Sequence, residues 1–187
     1  MDNIFFDISK LKKCGKNVII GKTARIRYPE LVEIGDNVII DDFTYISTQL
    51  KIESFVHISS GCKLIGGRDA RITFGNFSTL SPNVVLAAGS DDYHSGIATP
   101  LIPLKYKANC VIGSIEIGEH CIVGSGSVIL PNVKMARGSV LGSLSLLKDD
   151  TQEWTINVGI PANKGEVRNK EEILELETRY KKTLDGK

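Results

Sequence analysis

Residues 34–64 read IGDNVI-IDDFTY-ISTQLK-IESFVH-ISSGCK-L, and an aliphatic residue returns there at every sixth position. Two further stretches repeat the spacing, and an earlier, looser turn is visible at Ile20 and Ile26. A period of six matches neither the 3.6-residue period of an amphipathic helix nor the two-residue alternation of a hairpin sheet. The three series are Ile34, Ile40, Ile46, Ile52, Ile58 and Leu64; Phe74, Leu80 and Leu86; and Ile117, Val123, Ile129, Met135, Leu141 and Leu147.

The residues between these apolar positions also follow a rule. Gly, Asp, Glu, Ser or Ala often comes next, and a small or β-branched residue lies four positions further on, as at Val38, Thr44 and Ser127. Small and turn-forming residues suit corners between short strands. The pattern therefore predicts coils with flat faces, which must stack on one another to bury the apolar positions. A β-sandwich is the alternative, but its strands do not keep a phase of six over five steps.

This repeat resembles that of the left-handed β-helix acyltransferases, a family with the galactoside and maltose acetyltransferases, serine acetyltransferase and the xenobiotic acetyltransferases. The resemblance covers about residues 17–165, and residues 158–162, VGIPA, resemble the G-x-P-A that follows the last coil in this family. It implies an all-β fold, a left-handed parallel β-helix with three hexapeptides in each triangular coil. We expect one acyltransferase domain over residues 1–167, with a C-terminal helix and tail over residues 168–187.

The repeat is interrupted twice before it ends. Residues 65–71 are Gly-rich and charged, which predicts a surface excursion between coils. Residues 88–111 hold two prolines, a polar cluster and a histidine without any phase of six, and a long insertion of this kind is often functional. After the coils, residues 169–182 have helical propensity and predict a helix that packs on the coils as a cap.

The composition excludes several classes of protein. The 187 residues include 23 basic and 22 acidic ones, and a net charge of +1 argues against a general role in binding nucleic acid or a membrane surface. No apolar run approaches the roughly 18 residues of a membrane span, and the N-terminus lacks the pattern of a signal peptide. The four cysteines show no metal-ligand spacing, so we expect reduced thiols in a cytoplasmic protein.

His94 is the predicted general base. An acceptor loses a proton as it attacks a thioester, and imidazole is suited to take that proton near neutral pH. His57 and His120 fall inside the repeat, where a coil or corner role accounts for them, whereas His94 lies in the long insertion. The resemblance points the same way, because these enzymes carry their catalytic histidine on a loop outside the coils. The alternative is a loop histidine that only bonds its neighbours.

Four residues near His94 are predicted to bind the substrate. Asp91 and Asp92 can accept hydrogen bonds from sugar hydroxyls or hold the imidazole, although a solvated turn would also account for them. Tyr93 lies between them and the histidine. Asn83 resembles an acceptor-side asparagine of the family, with a corner position as its alternative.

The resemblance implies acetyl-CoA as co-substrate, with its pantetheine arm laid along the coils beside small residues. The phosphates of the nucleotide end need cations, which two residues after the VGIPA turn can supply unless they are ordinary surface charges. The sequence has no Gly-rich P-loop, so phosphates are expected to be bound rather than cleaved. The predicted positions are Gly124, Ser125, Gly142, Ser143 and Lys148 for the arm, and Lys164 and Arg168 for the phosphates.

These features together predict an acetyl-CoA-dependent acetyltransferase that modifies a sugar for lipopolysaccharide, O-antigen or capsule synthesis. The acceptor is either a hydroxyl or the amine of a nucleotide-linked amino sugar. The resemblance also implies a homotrimer with active sites between subunits.

Three alternatives stay open. The acceptor can instead be serine or an antibiotic, or the fold can have lost its activity. A β-helix of the γ-carbonic anhydrase type would need three histidines on zinc. The spacing of His57, His94 and His120 does not resemble that family's ligands, so no metal site is predicted.

Overall fold

The repeat folds into stacked coils of parallel strands. The computed structural model describes residues 6–185, which form a β-solenoid of about seven turns and one α-helix. Ile34 pairs in register with Ile52, Ile52 with Phe74, and Phe74 with Ile117. Since each of these steps advances the chain by one coil, residues that recur through the repeat lie directly above one another.

Three flat faces, named here in chain order, make up the solenoid, and neighbouring strands within a face run parallel. The first face contains Lys13–Cys14, Val32–Ile34, the ends of Tyr45–Ile52 and Lys63–Phe74, Ser114–Ile117 and Val133–Met135. The second contains Val18–Ile20, Val38–Ile40, His57–Ile58, Thr79–Leu80, Ile122–Val123, Val140–Leu141 and Thr155–Gly159. The third contains Arg25–Ile26, the beginnings of Tyr45–Ile52 and Lys63–Phe74, Val85–Ala87, Val128–Ile129 and Leu146–Leu147.

The predicted core is confirmed. Every member of the three apolar series is buried, with at most 3% of its surface exposed, and so are the small residues four positions later, such as Val38 and Ser127. Each hexapeptide therefore places two side chains in the interior. Because a fully buried aliphatic side chain contributes roughly 1.5–3 kcal/mol, the three internal columns supply most of the stabilisation of the fold.

The three corners are named after the face that they follow. At most turns of the first and second corners, the residue three positions after the buried residue of the face has a left-handed backbone with positive φ. Only glycine, and to a lesser extent asparagine, adopts this conformation readily. The first corner carries Asn17, Asn37, Phe55, Phe77, His120, Gly138 and Trp154, and the second carries Phe43, Gly61, Asn83, Gly126 and Leu144.

The repeat departs from its spacing of six residues at the third corner. The shorter break does not form a separate loop, because the strand Lys63–Phe74 runs straight through it with a bulge against Tyr45–Ile52. Leu50 pairs with Ile72 beyond the bulge, so the buried ladder continues there. Gly67, Arg68 and Asp69 stand out on the surface. The steps across this corner run from Ile26 to Ile34, Ile46 to Ile52, Leu64 to Phe74, Leu86 to Ile117 and Ile129 to Met135.

The longer break is an extruded hairpin at the third corner, as predicted. Its stem is an antiparallel pair of Gly89–Ser90 with Val111–Ile112, and the N–H of Gly113 donates to the carbonyl of Ala88 at 2.8 Å. A 3₁₀ turn, Leu104–Tyr106, lies in the descending arm. Two other short 3₁₀ turns, Ile8–Lys10 and Pro29–Leu31, lie near the N-terminus.

The C-terminal helix, Lys170–Asp185, lies along the first corner rather than over the end of the stack. The ring of Tyr180 meets those of Phe55 and Phe77 edge-on, at centroid distances of 5.8 and 6.5 Å. The last strand edge of the second face is instead covered by the antiparallel strand Ala162–Val167. The cap that the sequence predicts is therefore divided, with a strand on the end and the helix on the side.

The helix covers a stack of flat rings. Phe55 lies on Phe77 at 4.8 Å, and Phe77 lies on the imidazole of His120 at 5.3 Å, both nearly parallel. The Nε2 atom of His120 is 2.9 Å from a carboxylate oxygen of Glu177, and these side chains are only 8% and 11% exposed. Ring stacking of this kind offsets the cost of the left-handed backbone at the corner.

We expect the docking of this helix to weaken in acid. Burial raises the pKa of Glu177, but hydrogen bonds from Lys181 and His120 outweigh burial and hold the pKa below its ordinary value of 4.5. A carboxyl with a lowered pKa contributes stability above its unfolded pKa, and this contribution disappears as the pH falls through the folded value. Glu177→Gln should thus flatten the fall in stability below about pH 4.5, measured by urea unfolding. Glu175→Gln, at an exposed position, should leave that fall unchanged.

Candidate active site

Most of the predicted site residues fall at two different corners of one chain. The strand Val85–Ala87 of the third face lies between the two groups. The first group is at the second corner and comprises Asn83, Gly124, Ser125, Gly142 and Ser143. The second group, Asp91, Asp92, Tyr93 and His94, is on the hairpin at the third corner.

At the second corner, successive coils stack in close contact. Asn83 is exposed, with φ of 61°, and its N–H donates to the carbonyl of Ser60. A Cβ added at Gly124 would collide with the backbone of Gly142 and Ser143 in the next coil. Glycine is therefore needed at position 124, because the backbone of the next coil occupies the place that a side chain would take.

The three cations that the sequence predicts for coenzyme A binding are more scattered. The guanidinium of Arg168 donates to the carbonyls of His120 and Gly138 at 2.6 and 2.8 Å, and its burial at the first corner lowers its pKa. Lys164 donates to a side-chain oxygen of Gln152 at 2.8 Å. Lys148 is exposed at the end of the third face. The structure thus gathers the small residues of the predicted coenzyme A track but holds Arg168 at another corner.

Asp92 organises the tip of the hairpin. One of its carboxylate oxygens accepts the N–H groups of His94 and Ser95 at 2.8 and 3.2 Å, and the other accepts the N–H of Asn109 at 3.2 Å. These hydrogen bonds, from His94 first, lower the pKa of Asp92. The carboxylate of Asp92 is therefore ionised and holds the two arms of the hairpin together.

Asp91 lines a cavity of about 410 Å³ between the hairpin and the bulge around Gly67. Its Oδ1 atom is 2.7 Å from the Nζ of Lys107, whose side chain is only 13% exposed. The sequence offered no signal for this pair, since its members lie sixteen positions apart in a segment without periodicity. Tyr93, at 88% exposure, and His94 lie on the outer surface, and the His94 ring has no hydrogen-bond partner within residues 6–185.

The three histidines lie on separate parts of the structure. His57 is on the second face, 2.8 Å from a carboxylate oxygen of Asp41, while His94 is on the hairpin and His120 at the first corner. In the described part of the chain, no three His, Cys, Asp or Glu side chains are grouped so that they could hold a metal ion. No helix between residues 6 and 185 has the length and apolar character that crossing a membrane requires.

A parallel β-helix with an extruded hairpin is the architecture expected of the acyltransferases that the repeat resembles, and comparison with known proteins tests this expectation. No family model matches the chain. It is 34% identical to the dTDP-4-amino-4,6-dideoxy-D-glucose acyltransferase of Escherichia coli, over 100% of this chain and 97% of that protein. It is 25% identical to the galactoside O-acetyltransferase of Escherichia coli strain K12, over 72% and 68% of the two chains.

Comparison with solved structures also finds sugar acyltransferases. AntD, an N-acyltransferase from Bacillus cereus in complex with dTDP and 3-hydroxybutyryl-CoA, superposes with a TM-score of 0.91 and 34% identity, over 98% of this chain and 100% of AntD. An AntD variant with a serine replaced by cysteine holds dTDP-4-amino-4,6-dideoxyglucose and coenzyme A. In two others, an aspartate ten positions further along is replaced by alanine or asparagine.

The chain therefore belongs to the hexapeptide-repeat sugar acyltransferases, and its fold is their left-handed parallel β-helix. It is an acyltransferase that uses a coenzyme A thioester as co-substrate and a sugar as acceptor.

Proposed function

We propose that the chain transfers an acetyl group, or a similarly short acyl group, to the 4-amino group of dTDP-4-amino-4,6-dideoxyglucose. The observation that carries this proposal is the similarity over the whole chain to two enzymes that act on or bind this amino sugar. The sequence alone left hydroxyl and amine acceptors open, and this similarity favours the amine. The acylated sugar would serve surface polysaccharide synthesis in the cytoplasm.

The reaction needs one base and one anion-stabilising group. The amine nitrogen bonds to the thioester carbon, and the carbon–sulfur bond breaks. An amine proton passes to the base and from there to the departing sulfur, so that coenzyme A leaves as the thiol. Backbone N–H groups at the second corner would stabilise the oxyanion. Asp91 is the base that the geometry favours, because it lines the hairpin cavity. His94 is the second candidate, because its ring is exposed and can face a neighbouring subunit.

A homotrimer would bring the two groups of site residues together. Ser81 and Asp91 are ten positions apart, which is the spacing of the serine and aspartate replaced in AntD. Within one chain, the third face separates them by roughly 15 Å, about five residues of extended strand. A single site that contains both thus needs Asp91 from a neighbouring subunit. Phe43 and Leu144, 72% and 73% exposed at the second corner, would be covered in such an interface.

Release of free thiol from acetyl-CoA and from 3-hydroxybutyryl-CoA tests the proposal. We expect release with dTDP-4-amino-4,6-dideoxyglucose and none with the matched sugar that carries a hydroxyl at position 4. The active preparation should sediment as a trimer. Release with the hydroxyl sugar alone would make the chain an O-acyltransferase. An absence of release with either sugar would reject the proposed acceptor.

A further inference from the structure

We propose that Lys107 is a positioning residue that fixes the carboxylate of Asp91 for the reacting amine. This inference rests on the proposed function, in which Asp91 takes the proton. Lys107 donates from Nζ to Oδ1 of Asp91 at 2.7 Å, and its side chain is 13% exposed against 37% for Asp91. The pair is therefore buried on the lysine side and open on the aspartate side.

The two oxygens of Asp91 differ. Oδ1 is held by Lys107, whereas Oδ2 accepts no hydrogen bond from any residue between 6 and 185. A carboxylate that is free at both oxygens turns about its side-chain bonds, but one that is held at Oδ1 presents Oδ2 in a fixed direction. The cavity that Asp91 lines is where an acceptor amine would meet Oδ2.

Closure of the hairpin does not account for Lys107. The hairpin is already closed by its β-stem, by the bonds between Asp92 and Asn109, and by the N–H of Ile97 on the carbonyl of Tyr106. A lysine is seldom so deeply buried unless its charge is paired. Because other contacts already hold the arms together, what Lys107 adds is its bond to Asp91.

Other charges near the cavity do not replace Lys107. Arg68 lines the cavity but pairs with Glu30 at 2.7 Å and lies over the ring of Tyr28. Asp69 and Cys110 also line it and carry no positive charge. Within the described residues, Lys107 is thus the cation paired with Asp91.

Three variants separate positioning from loop closure. Lys107→Met keeps the length of the side chain but removes its charge, and we expect kcat to fall about 10- to 100-fold, since a misplaced catalytic group costs this much. KM for acetyl-CoA should not change. Lys107→Arg should recover most of the rate. The matched control, Asn109→Ala, removes the side-chain hydrogen bond to Asp92 and keeps the backbone one. It should keep kcat within about threefold, well short of the cost of a misplaced group.

The kinetic constants also distinguish a failure of the positioning role of Lys107 from a failure of Asp91 as the base. Lys107→Met with wild-type kcat overturns the positioning role, as does a loss of rate in Asn109→Ala as large as in Lys107→Met. If Lys107→Arg is no better than Lys107→Met, the role is also rejected. Adding Lys107→Met to Asp91→Asn should cost nothing more, because the two side chains act as a unit. Wild-type activity in Asp91→Asn would instead refute the proposed base.

Discussion

Gly138→Ala is expected to lower the free energy of unfolding by about 2–4 kcal/mol, from overpacking together with left-handed strain. Gly138 has a φ of 71° at the first corner, where an L-residue is strained. A Cβ there would also run into the six-membered ring of Trp154, which is 5% exposed and cannot move aside. The melting temperature should drop by roughly 5–15 °C for a chain of this size, measured by calorimetry.

Gly67→Ala is the matched control for this prediction. Gly67 has a φ of 86°, but a Cβ there meets nothing within 4 Å. Only backbone strain remains, and this costs about 1–2 kcal/mol. Equal losses in the two variants would show that the ring of Trp154 moves aside without cost and that overpacking does not contribute.

Asp91→Asn is expected to reduce kcat by about 10²–10⁴-fold, the usual worth of a general base. The amide keeps the shape of the carboxylate but cannot take a proton. His94→Ala should stay within a few-fold of wild type, because Asp91 is the proposed base and the His94 ring makes no hydrogen bond in the described part of the chain. Single-turnover release of thiol with the amino sugar measures both rates.

The opposite result would be equally informative. A collapse of activity in His94→Ala, with Asp91→Asn nearly unaffected, would make the histidine the base, as the sequence predicts. Leu101→Ala serves as a control for general damage to the exposed hairpin, since it shortens a side chain that is 90% exposed.

The core could be predicted because every hexapeptide repeats one environment. Ile34, Ile52 and Phe74 occupy equivalent places in successive coils, so each position tests the same rule again. The corners were less predictable. Phe55, Phe77 and His120 occupy left-handed positions that favour glycine and asparagine, and only their mutual stacking under the C-terminal helix explains them.

The separate parts of the candidate site could be predicted from the sequence, but their arrangement in space could not. The hairpin was marked by its loss of phase, and the glycines of the second corner by the family resemblance. The pairing of Asp91 with Lys107 depends on how the two arms of the hairpin come together, and no pattern in the chain encodes that distance. The separation of Asn83 from Asp91 follows from the width of the third face, which a linear spacing does not reveal.

The third corner makes the scaffold modular. From Cys14 to Ile20 to Ile26, and likewise in later coils, the chain crosses the other two corners in steps of six, so that lengthening there would shift later side chains out of register. Segments of very different length cross the third corner, yet Phe74 and Ile117 remain stacked. Insertions at the third corner can therefore change acceptor recognition without altering the rest of the solenoid.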